Sequence, residues 1–123
     1  LVITCGYGRN GKKVSEELLV RGQEFIIIDR DHEVIMNNGE SAVRFIEGDA
    51  TDDLILEQAG IHQAKAIIST MPEDADNLFV VLSARTLNPK VVIVSRASSE
   101  SADRKLHVAG VDHVVLPEGV GGA

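Results

Sequence analysis

An open parallel sheet with helices on both faces, the doubly wound α/β class, is what this sequence predicts, and three observations carry the prediction. Six short Val- and Ile-rich runs recur along 123 residues, and within each the apolar character is continuous and not alternating. Strands buried on both faces of a parallel sheet read that way. Amphipathic stretches separate the runs, and strand–helix alternation gives right-handed crossovers. Finally, Gly6-Tyr7-Gly8-Arg9-Asn10-Gly11 joins the first run to the first helical stretch, a tight turn placed where this class makes its first strand-to-helix connection.

The elements follow in order. LVITC (1–5) is the first strand. Residues 10–22 place Val14, Leu18 and Leu19 at helical spacing, with Gly22 as a C-terminal cap. EFIIID (24–29) is the second strand. A short helix over 31–39 ends at Gly39, and AVRFIE (42–47) is the third strand. A second short helix, 52–59, precedes Gly60, and KAIIST (65–70) is the fourth strand. Residues 73–87 carry Leu78, Val81 and Leu82 on one stripe, with Asp74 or Asp76 capping the start and Asn88-Pro89 stopping the helix. VVIVSR (91–96) is the fifth strand. The last helix, 99–109, begins at a serine and ends before Gly110, and DHVVLP (112–117) is the sixth strand.

Composition narrows the function. The chain is 44% hydrophobic and 25% charged, which fits one globular domain spanning 1–123. Its formal net charge of −7 disfavours nucleic acid, because phosphate-backbone binding rests on Lys and Arg. A single cysteine, Cys5, forms no internal disulfide and stands in an apolar run, where a buried, inert thiol is expected. No apolar run approaches the roughly 20 residues of a membrane span, and no signal peptide is visible. The sequence opens inside an apolar segment without an initiator Met and ends at GVGGA, so it is expected to be a piece of a longer protein.

The glycine turn is a G-x-G-x-x-G with a strand before it and a helix after it, the dinucleotide fingerprint. Gly6 permits the turn, Gly8 lets a pyrophosphate approach the backbone, and Gly11 lets the helix lie close to the sheet. The helix N-terminus then offers free N–H groups and a positive dipole end. Asp29 closes the second strand roughly 20 residues on, where an acid accepts bonds from ribose hydroxyls. It disfavours a 2′-phosphate, although Arg30 beside it could accept one. Arg9 either reaches a phosphate or is solvated. Tyr7, the only tyrosine, lines the loop or packs beneath it.

Four segments together carry a family resemblance: GYGRNGKKVSEELLVRGQEFIIIDRD, EGDATDDLILEQAGIHQAKAIIST, EDADNLFVVLSAR and AGVDHVVLPE. They resemble the RCK domain, also called TrkA-N or KTN, which regulates potassium channels and transporters. The resemblance covers essentially the whole chain. It implies a Rossmann-like sheet of strand order 3-2-1-4-5-6 and an N-terminal lobe that a second lobe usually follows. It implies NAD(H), or alternatively ATP, ADP or AMP, across the C-terminal edge of the sheet. It also implies pairing with another copy in a ring on the cytoplasmic side of the membrane, acting on a fused or separate pore.

Carried over by position, Gly6, Gly8 and Gly11 match the phosphate loop, with Tyr7 and Asn10 inside it and Arg9 as the loop arginine. Asp29 matches the ribose acid, and Arg30 follows it. Asp49, Ala50 and Thr51 match the segment flanking the adenine, although Asp49 and Thr51 also suit a turn or cap. Thr70 and Met71 end the fourth strand near the phosphates. Arg96 matches a basic position aimed at phosphate, with a pairing to Glu100 as its alternative. Glu118 resembles an acidic position near the site in some members.

Glu73, Asp74 and Asp76 raise a divalent cation, but acids at a helix start also favour the dipole, and no metal site is assigned. His32, His62, His107 and His113 have no ligand spacing and read as surface or packing residues. No Tyr-x-x-x-Lys pair exists, and no catalytic constellation is visible. The sequence therefore favours a nucleotide-sensing module over its alternative, the cofactor domain of an NAD-dependent dehydrogenase. The apolar block Leu78–Leu82 is wide enough to bury two helix faces, one on the sheet and one on a second copy.

Overall fold

A computed structural model describes residues 1–38 and 43–119. Eleven elements alternate: β1 (Val2–Cys5), α1 (Arg9–Val20), β2 (Phe25–Asp29), α2 (His32–Asn38), β3 (Arg44–Glu47), α3 (Asp53–Gln58), β4 (Ala66–Ser69), α4 (Asp74–Leu87), β5 (Val92–Arg96), α5 (Glu100–Ala109) and β6 (His113–Val115). The six strands form one sheet of order β3-β2-β1-β4-β5-β6, and every pairing is parallel. The chain thus runs outward from β1 to β3, returns through α3, and runs outward again on the other side. The expected Gly39 cap and the Ala42 start of the third strand lie outside the described residues.

Side chains alternate across each strand, so two cores form. Ile3, Cys5, Ile26, Ile28, Ile67 and Ile93 pack with Leu56 of α3, Val80 and Val81 of α4 and Leu106 of α5. Val2, Phe25 and Ile27 pack on the opposite face with Leu18 of α1 and with Phe45. Beyond α1 that second face is less covered: Val92 and Val115 are exposed, and Ile68 and Val94 are half-buried.

The helix ends follow capping chemistry. Ser99 accepts from the Ala102 N–H at the start of α5, and Gly110 closes that helix at φ +107. Asp52 accepts from the Leu54 N–H at the start of α3. For α4 the expectation of an Asp74 or Asp76 cap is corrected. Glu73 holds the cap position without a side-chain bond, and both aspartates lie in the first turn. There Asp74 accepts from the backbone N–H and the hydroxyl of Ser98, binding α4 to the loop after β5. The stripe of α4 matches expectation at Val81, which is buried, and at Leu78, which packs against the core, but not at Leu82. Asn77, Val80, Val81 and Ala84 are buried, while Phe79 and Leu82 are exposed. A polar residue therefore occupies the inner face, and the apolar block does present a second one.

Arg85 fastens the far end of α4. Its guanidinium donates to the carbonyls of Gly110, Pro89 and Val91 and to Asp112 Oδ2. One side chain thereby joins the end of α5, the turn before β5 and the start of β6.

Candidate nucleotide-binding site

The carboxyl ends of parallel strands on either side of β1 open onto a cleft of about 710 Å³. It lies at the point where the strand order reverses, the position at which open α/β sheets bind ligands. Its volume falls within the roughly 300–1,000 Å³ of small-molecule sites.

The β1–α1 turn forms its floor. Gly6 has φ +100, a left-handed conformation that side chains other than glycine's rarely adopt. A Cβ on Gly11 would stand 2.1 Å from the Gly6 carbonyl oxygen, so α1 starts pressed against the first glycine's own backbone. A Cβ on Gly8 would meet nothing within 4 Å and would project into open space. The two outer glycines build the turn, and the middle one leaves a cradle.

The cradle faces free donors. The first intrahelical bond of α1 runs from the Lys12 N–H to the Gly8 carbonyl, so the N–H groups of Arg9, Asn10 and Gly11 have no partner within the helix. No acidic residue occupies the first turn, and the cap position has no side-chain bond. No acidic side chain of the cap or the first turn therefore offsets the positive end of the helix dipole, which suits an anion.

Asp29 ends β2 beside the turn. One carboxylate oxygen accepts from the Tyr7 N–H at 2.9 Å and the other from the Asp31 N–H at 2.8 Å. Each oxygen retains capacity for a further donor, as ribose hydroxyls would supply. The same acid also fixes the glycine turn. The Tyr7 ring packs edge-on against Phe45, with centroids 5.2 Å apart, and Lys12 lies over it. Tyr7 thus both lines the cleft and packs.

On the side of β2 and β3, Arg30 Nη1 lies 3.8 Å from Asp49 Oδ2, both side chains well exposed. Thr51 donates to Asp49 Oδ1 from its hydroxyl and from its N–H. These bonds, with Arg30 adding less, hold the Asp49 carboxyl below its ordinary value of 3.8. On the other side Thr70, Met71 and Arg96 line the cleft. Among the described residues, Arg96 has no carboxylate within ion-pair distance, Glu100 included.

The structure thus gathers Gly6, Tyr7, Gly8, Arg9, Asn10, Asp29, Arg30, Asp49, Ala50, Thr70, Met71 and Arg96 around one cleft. Gly11 is buried beneath it. Two residues named from the resemblance do not line it. Thr51 is committed to the Asp49 turn, and Glu118 is exposed after the edge strand β6, separated from β1 by β4 and β5. Several lining residues were not assigned to the nucleotide site from sequence: Val34 of α2 and Gly48 had no signal of their own, and Glu73 and Asp76 stood out only as part of an acidic cluster. The last two follow β4, and only the rule that strand ends face the site could have found them.

Other groups stand apart from the cleft. Burial pushes the Cys5 thiol up to about 12, so it stays protonated. His32 meets Glu47 at 2.5 Å, His62 meets the Leu87 carbonyl, and His107 meets Asp103, all near the surface. No cluster of three or more His, Cys, Asp or Glu side chains suited to a metal is present among the described residues.

Fold and turn define the class: a Rossmann-like domain with a glycine-rich phosphate-loop motif. Within that class the chain belongs to the TrkA-N domain family, also called RCK, which matches residues 2–117. It is 42% identical to the probable potassium channel protein 2 of Methanocaldococcus jannaschii and 44% identical to potassium channel protein 1 of the same organism, each over 98% of this chain. It spans only 36% and 37% of those two proteins. It is 31% identical to the glutathione-regulated potassium-efflux protein KefC of Cronobacter sakazakii, of which it covers 18%.

Solved structures agree. The TrkA-N domain of the inner membrane protein YbaL from Escherichia coli superposes with a TM-score of 0.90 at 29% identity, covering 95% of this chain and 87% of that one. The GsuK channel bound to NAD gives 0.82 at 36% identity, covering 94% and 20%, and GsuK has also been solved bound to ADP. The Kef C-terminal domain of Shewanella denitrificans in its AMP-bound form gives 0.85 at 27% identity, covering 94% and 70%.

Proposed function

We propose that this chain is a nucleotide-sensing regulatory domain of a potassium channel or transporter, placed on the cytoplasmic side of the membrane. The observation that carries the reading is the open cradle that the missing side chain at Gly8 leaves. It faces a helix N-terminus with no acidic side chain in its cap or first turn, and the Asp29 carboxylate lies beside it. NAD(H) is the ligand that best uses both features, and ATP, ADP or AMP would use the same ones. The N–H groups opening α1, with Arg9 and Arg96, would hold the phosphates. Asp29 would hold the ribose, and the Arg30–Asp49 side would flank the adenine. GsuK with NAD or ADP, and the Kef domain with AMP, support that choice of ligands.

On this reading the residues around the cleft hold a nucleotide without transforming it. Among the described residues no histidine lines it, and the Tyr7 ring is packed on Phe45. A regulator needs only that ligand binds one state of an assembly better than another. The exposed Phe79 and Leu82 on α4 supply a surface for a second copy. Neighbouring copies rearranged by the nucleotide would then act on a fused or separate pore. No helix of the described residues is long and apolar enough to cross a membrane.

Calorimetric titration with NAD, NADH, NADP, ATP, ADP and AMP, with Asp29→Ala in parallel, tests the reading. Micromolar binding of one of these, weakened by the substitution and without turnover, is expected. Absence of binding by all six, or steady consumption of the cofactor, overturns it.

A further inference from the structure

We propose that Asn77 is a positioning residue of the nucleotide cleft: a buried carboxamide that fixes the turn after β4 to the end of β5 and so sets how Met71 and Arg96 meet phosphate. The inference rests on the reading of the cleft as a nucleotide site.

Asn77 has no exposed surface, yet it belongs to a helix stripe otherwise made of Val80, Val81 and Ala84. A buried amide without partners costs about 1–3 kcal/mol, so its bonds matter. All four are made. Oδ1 accepts from the Ser69 hydroxyl at 2.6 Å and from the Met71 N–H at 3.0 Å. Nδ2 donates to the Met71 carbonyl at 2.9 Å and to the Arg96 carbonyl at 3.3 Å. That exhausts the two acceptor and two donor positions of a carboxamide.

The partners belong to three segments: the last residue of β4, the turn that follows it, and the last residue of β5. Met71 and Arg96 line the cleft, whereas Asn77 does not. Its effect on a ligand must therefore pass through them. Asp74 ties the same helix turn to Ser98 after β5, so the first turn of α4 anchors both loops. The adenosine side of the cleft, with Asp29, Arg30 and Asp49, has no bond to Asn77.

This asymmetry supplies the test. Asn77→Asp keeps the shape and the acceptor side but turns an oxygen toward the Met71 and Arg96 carbonyls. Asn77→Leu keeps the volume and removes all four bonds. Ser69→Ala removes one bond and leaves Asn77 its other three. Each variant and the unsubstituted chain would be titrated with adenosine, AMP and ADP by amide NMR, well below its unfolding midpoint.

The expected result for the folded Asn77 variants is a loss of about tenfold or more in affinity for ADP and AMP, with adenosine changed by less than about twofold. Ser69→Ala should show the same split, smaller, at about twofold to fivefold, and it serves if both Asn77 variants fail to fold. Unchanged ADP affinity overturns the inference. So does an equal loss for adenosine and ADP, the mark of a merely structural residue. If the unsubstituted chain binds no nucleotide, the reading of the cleft falls and this inference with it.

Discussion

Gly8 and Gly11 stand three positions apart in one turn, and the structure assigns them opposite failures. At Gly11 a methyl group would lie 2.1 Å from the Gly6 carbonyl oxygen and 2.8 Å from its carbonyl carbon, against 3.4–4 Å for ordinary contact. Both atoms are backbone, so relief requires moving α1 away from β1. Overpacking of this kind costs about 1–3 kcal/mol, sometimes more, and a clash with backbone belongs at the upper end. For a domain of this size about 3 kcal/mol lowers the melting temperature by roughly 10 °C. At Gly8 the methyl group meets nothing within 4 Å. The fold there loses only the preference of a helix cap for glycine over alanine, under about 1 kcal/mol. The same methyl group occupies the cradle, so nucleotide affinity should fall by about 100-fold or more while the melting temperature moves by about 3 °C or less. Thermal unfolding and calorimetric titration of Gly8→Ala and Gly11→Ala give both numbers. A Gly11→Ala domain as stable as the parent would refute the close approach of helix and turn. A Gly8→Ala domain that binds nucleotide normally would refute the cradle.

Arg85→Ala should cost about 2–4 kcal/mol in urea unfolding, because it strands the carbonyls of Gly110, Pro89 and Val91 together with Asp112. The Asp112 carboxyl is held below its ordinary value of 3.8, first by the Ile93 N–H and then by Arg85, and Asp49 is lowered as well. A lowered folded-state value stabilises above the unfolded value and is lost as pH falls through the folded one. Stability should therefore decline below about pH 4, and Asp112→Asn should flatten that decline in pH-dependent unfolding. Phe79→Glu should leave unfolding nearly unchanged, since the side chain is 57% exposed, and should abolish self-association measured by light scattering at high micromolar concentration.

The sheet was legible because its strands carry continuous apolar runs such as FIIID and VVIVS, although only β1 and β2 are buried on both faces and β5 leaves Val92 exposed; the strand order followed from the family resemblance. The glycine turn was legible because its three glycines do separable physical work. Less legible was α4. Leu78, Val81 and Leu82 look like a stripe, but the helix turns Asn77 and Val80 inward and Leu82 outward. Hydrophobicity alone draws the stripe toward Leu82, because the inner face contains a polar residue whose partners, Ser69, Met71 and Arg96, come from β4, the turn after it and β5. The cap of α4 was misread for a related reason. Asp74 looks like a helix cap until the loop after β5 brings Ser98 to it. The cleft followed the same divide. Residues on the β1–α1 turn and at Asp29 could be read from spacing, whereas Glu73, Asp76 and Val34 enter only once the sheet sets strand ends side by side.

That divide shows where regulation would have to run. Asp29 bonds the glycine turn, so the proposed phosphate and ribose positions are joined through a single carboxylate. Asn77 joins the other wall of the cleft to the inner face of α4, and Phe79 and Leu82 stand on the outer face of the same helix. Both faces belong to one 14-residue helix, with Val80, Val81 and Ala84 packed in the core between its ends. A ligand that draws Met71 and Arg96 inward would therefore shift the surface offered to a second copy. The linkage requires no contact between the ligand and that surface. It requires only that the two arrangements of copies differ in how they hold α4, which is the differential binding a sensor must have.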